Sequence, residues 1–274
     1  MSQLNVDSIQ NTGSALTNIV LDTAGGTTVY NLNRGPLAGL RNVLINGDFR
    51  VWQRGTDLTL TGSTQKYGPD RWRFRANSSV GATSTETKLV QDGPISKCRI
   101  VYNGTPTSKG YIQQLIETQN VQALYGKQLT FSFYLENVSM GTAPTPTVAV
   151  TSYDSTPTGK TLVDASNSVT SLGNNQYSVT FTYTTTDGTV NAANEFGLSV
   201  SVFPNGNNTV ASGACQIYYC QLEVGTVATP FENIPISLSL ANCQRYYYQS
   251  SDDPTDGFGA SNGGAKRLTC PIQQ

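Results

Sequence analysis

Trp52 and Trp72, with Phe49 and Phe74 close in sequence, are side chains able to do recognition chemistry. Indole and phenyl planes pack against the C–H faces of sugar rings, and Asn, Gln or Arg nearby can bond the hydroxyls. The competing reading is a sandwich core, because Trp and Phe bury large apolar area. Four carboxylates, Asp48, Asp70, Glu223 and Glu232, form the other candidate set. Hard cations such as calcium take clusters of oxygen ligands. The same carboxylates can instead pair with Arg50, Arg71 and Arg73 through two-pronged hydrogen bonds. Tyr246, Tyr247 and Tyr248 beside Arg245 carry residue types enriched where subunits meet; the alternative is packing against their own domain.

Catalysis has little to work with. The chain has no histidine, which excludes a Ser-His-Asp or Cys-His nucleophile site. Glycosidases need only two carboxylates, but no acidic pair here carries a motif. The glycines from Gly35 to Gly39 lack the Gly-Lys-Ser/Thr ending of a phosphate loop, and no long repeat is visible. An enzyme is not expected.

Length and composition narrow the classes further. The 274 residues suit one sandwich domain with smaller flanking pieces. Charged residues make up 13 %, against roughly 25 % in ordinary globular chains. Thr, Ser, Asn, Gly and Gln take their place, residues that suit strands and tight turns. Lys and Arg number 17 against 18 Asp and Glu, with no basic block to meet phosphates, so nucleic acid is not an expected partner. No apolar run approaches the roughly 20 residues of a membrane helix. The first residues show no secretory signal, which predicts synthesis in a cytoplasm. Five widely spread cysteines, in such a setting, predict free buried thiols. Cys215 and Cys220, five residues apart on a predicted strand, should point to opposite faces. With no Cys-x-x-Cys and no histidine, a zinc site is not expected.

The elements that must position these side chains are strands. Leu129, Phe131, Phe133 and Leu135 alternate with polar residues, as do Tyr177, Val179, Phe181 and Tyr183. Leu198, Val200 and Val202 repeat the pattern, and Val148 and Val150 a shorter one. Turn clusters separate them, at Gly141–Pro146, Thr156–Gly159, Gly173–Asn175 and Pro204–Asn208. Period two with dense turns predicts an all-β chain folded as an antiparallel β-sandwich or jelly roll over residues 41–235. Residues 1–40 read as an extended β segment: Leu4, Val6 and Ile9 on one strand, Ile19 to Asp22 on another, and Thr27 to Leu32 after a Gly25-Gly26 turn. So short a segment needs a partner to bury its apolar residues; the alternative is a disordered tail. Pro235 opens a connector helix of about ten residues, with Ile236, Leu240, Cys243 and Tyr247 on one face. Residues 236–274 combine that helix with the start of a distal element, expected to be incomplete or completed by neighbouring chains.

Two stretches carry a resemblance. One is Arg41-Asn-Val-Leu-Ile-Asn-Gly-Asp-Phe-Arg-Val-Trp-Gln-Arg-Gly55 with Tyr67-Gly-Pro-Asp-Arg-Trp72. The other is Cys220-Gln-Leu-Glu-Val-Gly-Thr-Val-Ala-Thr-Pro-Phe-Glu232 with Ala241-Asn-Cys-Gln-Arg-Tyr-Tyr247. Together they resemble bacteriophage tail-fibre and receptor-binding proteins, and Leu4-Asn-Val-Asp-Ser-Ile9 is similar to the starts of cyanophage fibres. The Asn-Gly-Asp-Phe stretch also resembles the opening strand of carbohydrate-binding jelly rolls, although Arg50 stands where that pattern often has Glu. The resemblance implies a homotrimeric virion component of the tail, with residues 1–40 docking to a tail protein through Leu4, Val6 and Ile9. Contacts near Arg245, Tyr246 and Tyr247 would join subunits. It implies a role in attachment to the host surface, with a surface glycan as partner, and a calcium between opening and closing strands, held by Asp48, Glu223 and Glu232. A free-standing glycan-binding module and a capsid decoration protein are the alternatives.

Overall fold

The computed structural model describes residues 8–10, 17–21, 27–29, 40–60, 65–78, 86–92, 96–154, 159–165, 169–188, 190, 196–206, 210–249 and 267–268. Near the start, β1 (Ser8–Gln10), β2 (Thr17–Leu21) and β3 (Thr27–Val29) form an antiparallel meander with Ile9, Ile19 and Val29 in register. Leu4 and Val6 lie outside the described residues.

The remaining strands build the sandwich. They are β4 (Asp57–Leu60), β5 (Gln65–Tyr67), β6 (Trp72–Ser78), β7 (Glu86–Asp92), β8 (Lys97–Glu117) and β9 (Gln128–Asn137). They continue with β10 (Thr147–Ser152), β11 (Lys160–Val163), β12 (Thr170–Gly173), β13 (Gln176–Thr182), β14 (Phe196–Phe203) and β15 (Val210–Val224). Every pairing is antiparallel. The long strand β8 belongs to both layers. Its C-terminal part pairs with β6 and β14, giving a front sheet in the order β5-β6-β8-β14-β10-β11. Its N-terminal part pairs with β7 and β15, giving a back sheet in the order β4-β7-β8-β15-β9-β13-β12. The all-β antiparallel sandwich expected from the alternation is the observed fold.

The core lies between these layers. Leu129, Phe131, Phe133 and Leu135 of β9 face Val148, Val150, Leu198, Val200 and Val202 of the front sheet, all buried. The period-two residues are therefore the inner faces, as strand pleating requires. Phe74 and Trp72 are fully buried with them.

Beyond the sandwich, α1 (Thr118–Val121) follows β8, and α2 (Ile236–Gln244) begins after Pro235. The connector helix is where the sequence placed it, but its buried residues are Ser239 and Cys243. Ile236, expected on the packed face, is 48 % exposed. Two short strands, β16 (Tyr248–Gln249) and β17 (Arg267–Leu268), pair at the end of the described chain.

Candidate functional site

The opening and closing stretches meet in a polar clasp. β15 loses β8 as a neighbour after Ile217, and residues 42–47 fill the space. Val43 N–H donates to Leu222 O at 2.9 Å, and Cys220 N–H to Gly47 O at 2.8 Å. The Asn42 backbone N–H donates to Glu232 Oε2 at 2.7 Å. Arg41 pairs with Glu223 at 3.4 Å and donates to Pro230 O at 3.0 Å. Thr229 donates to both Glu223 oxygens, at 2.9 Å from its backbone and 2.6 Å from its hydroxyl.

Asn46 is the pivot of the Asn-Gly-Asp-Phe turn. Its Nδ2 donates to Val51 O and Asp70 O, and its Oδ1 accepts from Val51 N–H. Its own carbonyl accepts from Trp72 Nε1 at 2.9 Å. Asn46 and Phe49 both sit at φ near 55°, the left-handed region that Asn tolerates best among non-glycine residues. The motif thus closes the fold.

The geometry bears on the two pairs of readings that the sequence left open, sugar platform against core and calcium ligands against ion pairs. Trp72 is fully buried and packs against Phe49, with ring centroids 5.1 Å apart and planes tilted by 53°, so it cannot meet a sugar; it is core. Trp52 is half-buried, with its Nε1 donating to Phe49 O. The carboxylates likewise already have partners. Asp48 is bonded by Arg50, Glu223 by Arg41 and Thr229, and Glu232 by the Asn42 backbone. Asp70, whose pKa burial raises, accepts from Gln53 N–H and pairs with Arg54 at 2.6 Å. Among the described residues no group of three His, Cys, Asp or Glu is arranged to hold a metal.

Arg245, Tyr246 and Tyr247, expected at a subunit contact, are engaged within the chain. Arg245 bonds Glu117 at 2.6 Å. Arg71 lies 3.5 Å from the centre of the Tyr246 ring and Arg54 3.6 Å from that of Tyr247. A guanidinium over an aromatic face is attracted by the ring quadrupole, so these pairs fasten the segment after α2 to the sandwich. Ile9 lies in β1, paired to Ile19.

A face that the sequence reading did not single out gathers recognition chemistry. With Phe133 and Leu135 pointing inward, Tyr134 points out of the back sheet. Tyr218 is its cross-strand partner on β15, with ring centroids 5.1 Å apart. Between Tyr218 and Gln221, β15 advances three residues while β9 advances two. That bulge, with Tyr219 at φ 52°, sets Tyr219 beside the same cluster. It lies 5.3 Å from Tyr218 and 6.0 Å from Tyr134. Bulges re-aim side chains in this way, often beside functional sites. The bulge also turns Cys220 inward with Cys215, both fully buried, which corrects the expectation of opposite faces.

Polar groups frame the rings. Lys97 Nζ lies 4.8 Å from the centre of the Tyr218 ring and bonds Glu136 at 2.6 Å. Gln176 stands opposite Tyr134 on β13, and Gln216 opposite Glu136 on β15. Tyr134, Tyr218 and Tyr219 are each only partly buried. Desolvation raises the Tyr218 pKa, so its hydroxyl stays protonated and able to donate. The surface offers aromatic area, phenol hydroxyls and a Lys–Glu pair, a set suited to a polyhydroxylated ligand. The signal in the sequence was Tyr218-Tyr219 itself, two adjacent tyrosines on a strand whose alternation would otherwise bury one.

No family model matches the chain, and no curated protein matches it. Solved structures similar to it include the xylan-binding CBM22-1 domain of Xyn10C from Paenibacillus barcinonensis, at 14 % identity and TM-score 0.34, covering 68 % of this chain and 96 % of that one. A putative sugar binding protein from Bacteroides thetaiotaomicron is 15 % identical with TM-score 0.38, covering 67 % and 100 %. The family 11 carbohydrate-binding module from Clostridium thermocellum is 15 % identical with TM-score 0.33, covering 62 % and 95 %. At such identities and TM-scores the likeness extends to neither ligand nor activity.

Proposed function

We propose that this chain is a non-catalytic glycan-binding module, which binds through Tyr134, Tyr218 and Tyr219 on the outer face of the back sheet. The observation that carries the reading is the Tyr218–Tyr134 cross-strand pair with Tyr219 brought alongside by a left-handed bulge. Backbone of this kind is costly for a non-glycine residue, and here it gathers three tyrosines at the surface. A non-catalytic role is supported by the absence of histidine. It is also supported by the engagement of Asp48, Asp70, Glu223 and Glu232 with Arg or backbone donors.

The setting is a virion attachment protein of the tail-fibre type, acting in host-surface adsorption. This part of the reading rests on the two resembling stretches, the same ones that pair in the clasp. In that setting the chain assembles as a homotrimer and docks to a tail protein through residues 1–40. Light scattering on the full chain and on a version lacking residues 1–40 tests the assembly: a trimer that falls to monomer on truncation is expected, and a monomer in both cases overturns it. Glycan binding is tested on an array of neutral and acidic glycans, with Tyr134→Ala and Tyr218→Ala beside the unmodified chain. Binding that either variant abolishes is expected.

A further inference from the structure

Between the opening segment and α2 lies a cleft of about 700 Å³, within the range of small-ligand sites. Phe231 forms part of its wall, as do Asn120 and Asn242. Phe231 also stacks on Tyr219, with centroids 4.6 Å apart and planes 18° apart. One ring therefore joins the tyrosine face to the cleft.

Asn120 is exposed and Asn242 half-buried, and among the described residues neither side-chain amide has a hydrogen-bond partner. An amide brings two donors and one acceptor, so the pair offers the reciprocal bonding that vicinal hydroxyls need. Most charges at the cleft are paired, Arg41 with Glu223, Asp48 with Arg50 and Arg245 with Glu117, while Glu232 is held by the Asn42 backbone N–H and adds a negative charge to the wall. An aromatic wall, two free amides and a residual negative charge at Glu232 select a neutral, hydroxyl-rich ligand over an acidic one.

We infer that the cleft takes the terminal, uncharged sugar residue of a glycan whose preceding residues lie on the tyrosine face. The protein then reads a chain end as well as a chain. This inference rests on the glycan reading above.

The test is NMR titration of the full chain with glucose, galactose, mannose and N-acetylglucosamine, each as a monosaccharide. It is run on the unmodified chain, on the Asn120→Ala/Asn242→Ala double variant and on Tyr134→Ala. Neither side-chain amide holds a hydrogen bond among the described residues, so the double variant keeps its fold. The expected result is saturable shifts at 229–232 and 239–242 with at least one sugar. The double variant should weaken that binding roughly tenfold, the equivalent of about one hydrogen bond per amide, and Tyr134→Ala should leave it nearly unchanged. Shifts confined to 134 and 216–219 overturn the cleft site and leave the tyrosine face standing. Cleft shifts of equal affinity in the double variant overturn the role of the amides. No response to any monosaccharide overturns the cleft as a terminal-sugar site; the glycan array then decides the tyrosine face separately.

Discussion

The Asn42 side chain donates through Nδ2 to the Cys220 carbonyl at 3.0 Å and accepts through Oδ1 from the Leu222 N–H at 3.0 Å. One amide thereby makes the two bonds a strand neighbour would make, at the point where β15 has lost β8. Asn42→Ala leaves both backbone groups unpaired in a partly buried place, together with the Leu44 N–H that shares the same oxygen. Unsatisfied groups of this kind cost about 1–3 kcal/mol each, so urea unfolding should report a loss of about 3 kcal/mol. A loss below about 0.5 kcal/mol, within the range of an ordinary surface change, would contradict the clasp.

Gly47 tests the same junction by volume. A Cβ there would lie 2.0 Å from the Cys220 carbonyl oxygen, and that atom is backbone, which cannot rotate away. Gly47→Ala should lower stability by about 3 kcal/mol, at the upper end of overpacking costs. Thermal unfolding measures it, with Gly55→Ala as a contrast in which no neighbour is met and only the positive φ is strained.

Burial raises the thiols: Cys215 and Cys243 to about 12, and Cys98 and Cys220 well above their ordinary value. A folded-state pKa above the unfolded one means that folding keeps the proton the unfolded chain gives up. The stability tied to these groups is therefore intact below about pH 8.5, the unfolded thiol value, and is lost as pH rises toward 12. The unfolding free energy should fall steadily over that window, by up to about 1.4 kcal/mol per thiol per pH unit, and the urea midpoint with it. A thiol reagent should label the native protein far more slowly than the unfolded one. A midpoint that stays flat from pH 8 to 11 would contradict the burial of these four side chains.

Arg54 ties three elements together, pairing with Asp70 and lying over both Tyr247 and Tyr67. Its loss strands Asp70, which is 1 % exposed. Arg54→Ala should cost about 3 kcal/mol, as expected when one partner of a buried pair is removed. Arg54→Lys keeps the charge but not the planar fork, and should fall between. Equal stability of the Lys variant and the parent would argue against stacking on Tyr247.

The sandwich was legible because its core strands are amphipathic. Phe131, Phe133, Val200 and Val202 alternate with polar residues, and that pattern has one stable outcome. Strand β8 was less legible: it serves two sheets, and its Thr-, Ser- and Gly-containing middle breaks the alternation. The aromatics of the opening motif were visible as chemistry but not as core, since sequence spacing does not reveal that Trp72 sits beneath the Asn46 turn. Glu223 and Glu232 looked like ligands because Arg41 and the Asn42 backbone N–H come from the far end of the sandwich sequence, whereas Arg50, two residues from Asp48, was legible as its partner. Arg245 to Tyr247 read as an interface for the same reason, as Arg71 and Arg54 lie more than 170 positions earlier. The tyrosine face was hidden by one inserted residue, because a bulge shifts every later side chain on β15 to the other face.

Glycan binding by the Tyr134, Tyr218 and Tyr219 face is the central claim. Array binding, followed by calorimetry on the best glycan, compares the full chain with Tyr218→Ala and with Trp72→Phe. The account predicts that Tyr218→Ala weakens binding at least tenfold, about 1.4 kcal/mol, without loss of fold. Trp72→Phe should lose stability through the unpaired Asn46 carbonyl and keep its affinity. An array with no bound glycan, or binding that Tyr218→Ala leaves intact, would contradict it.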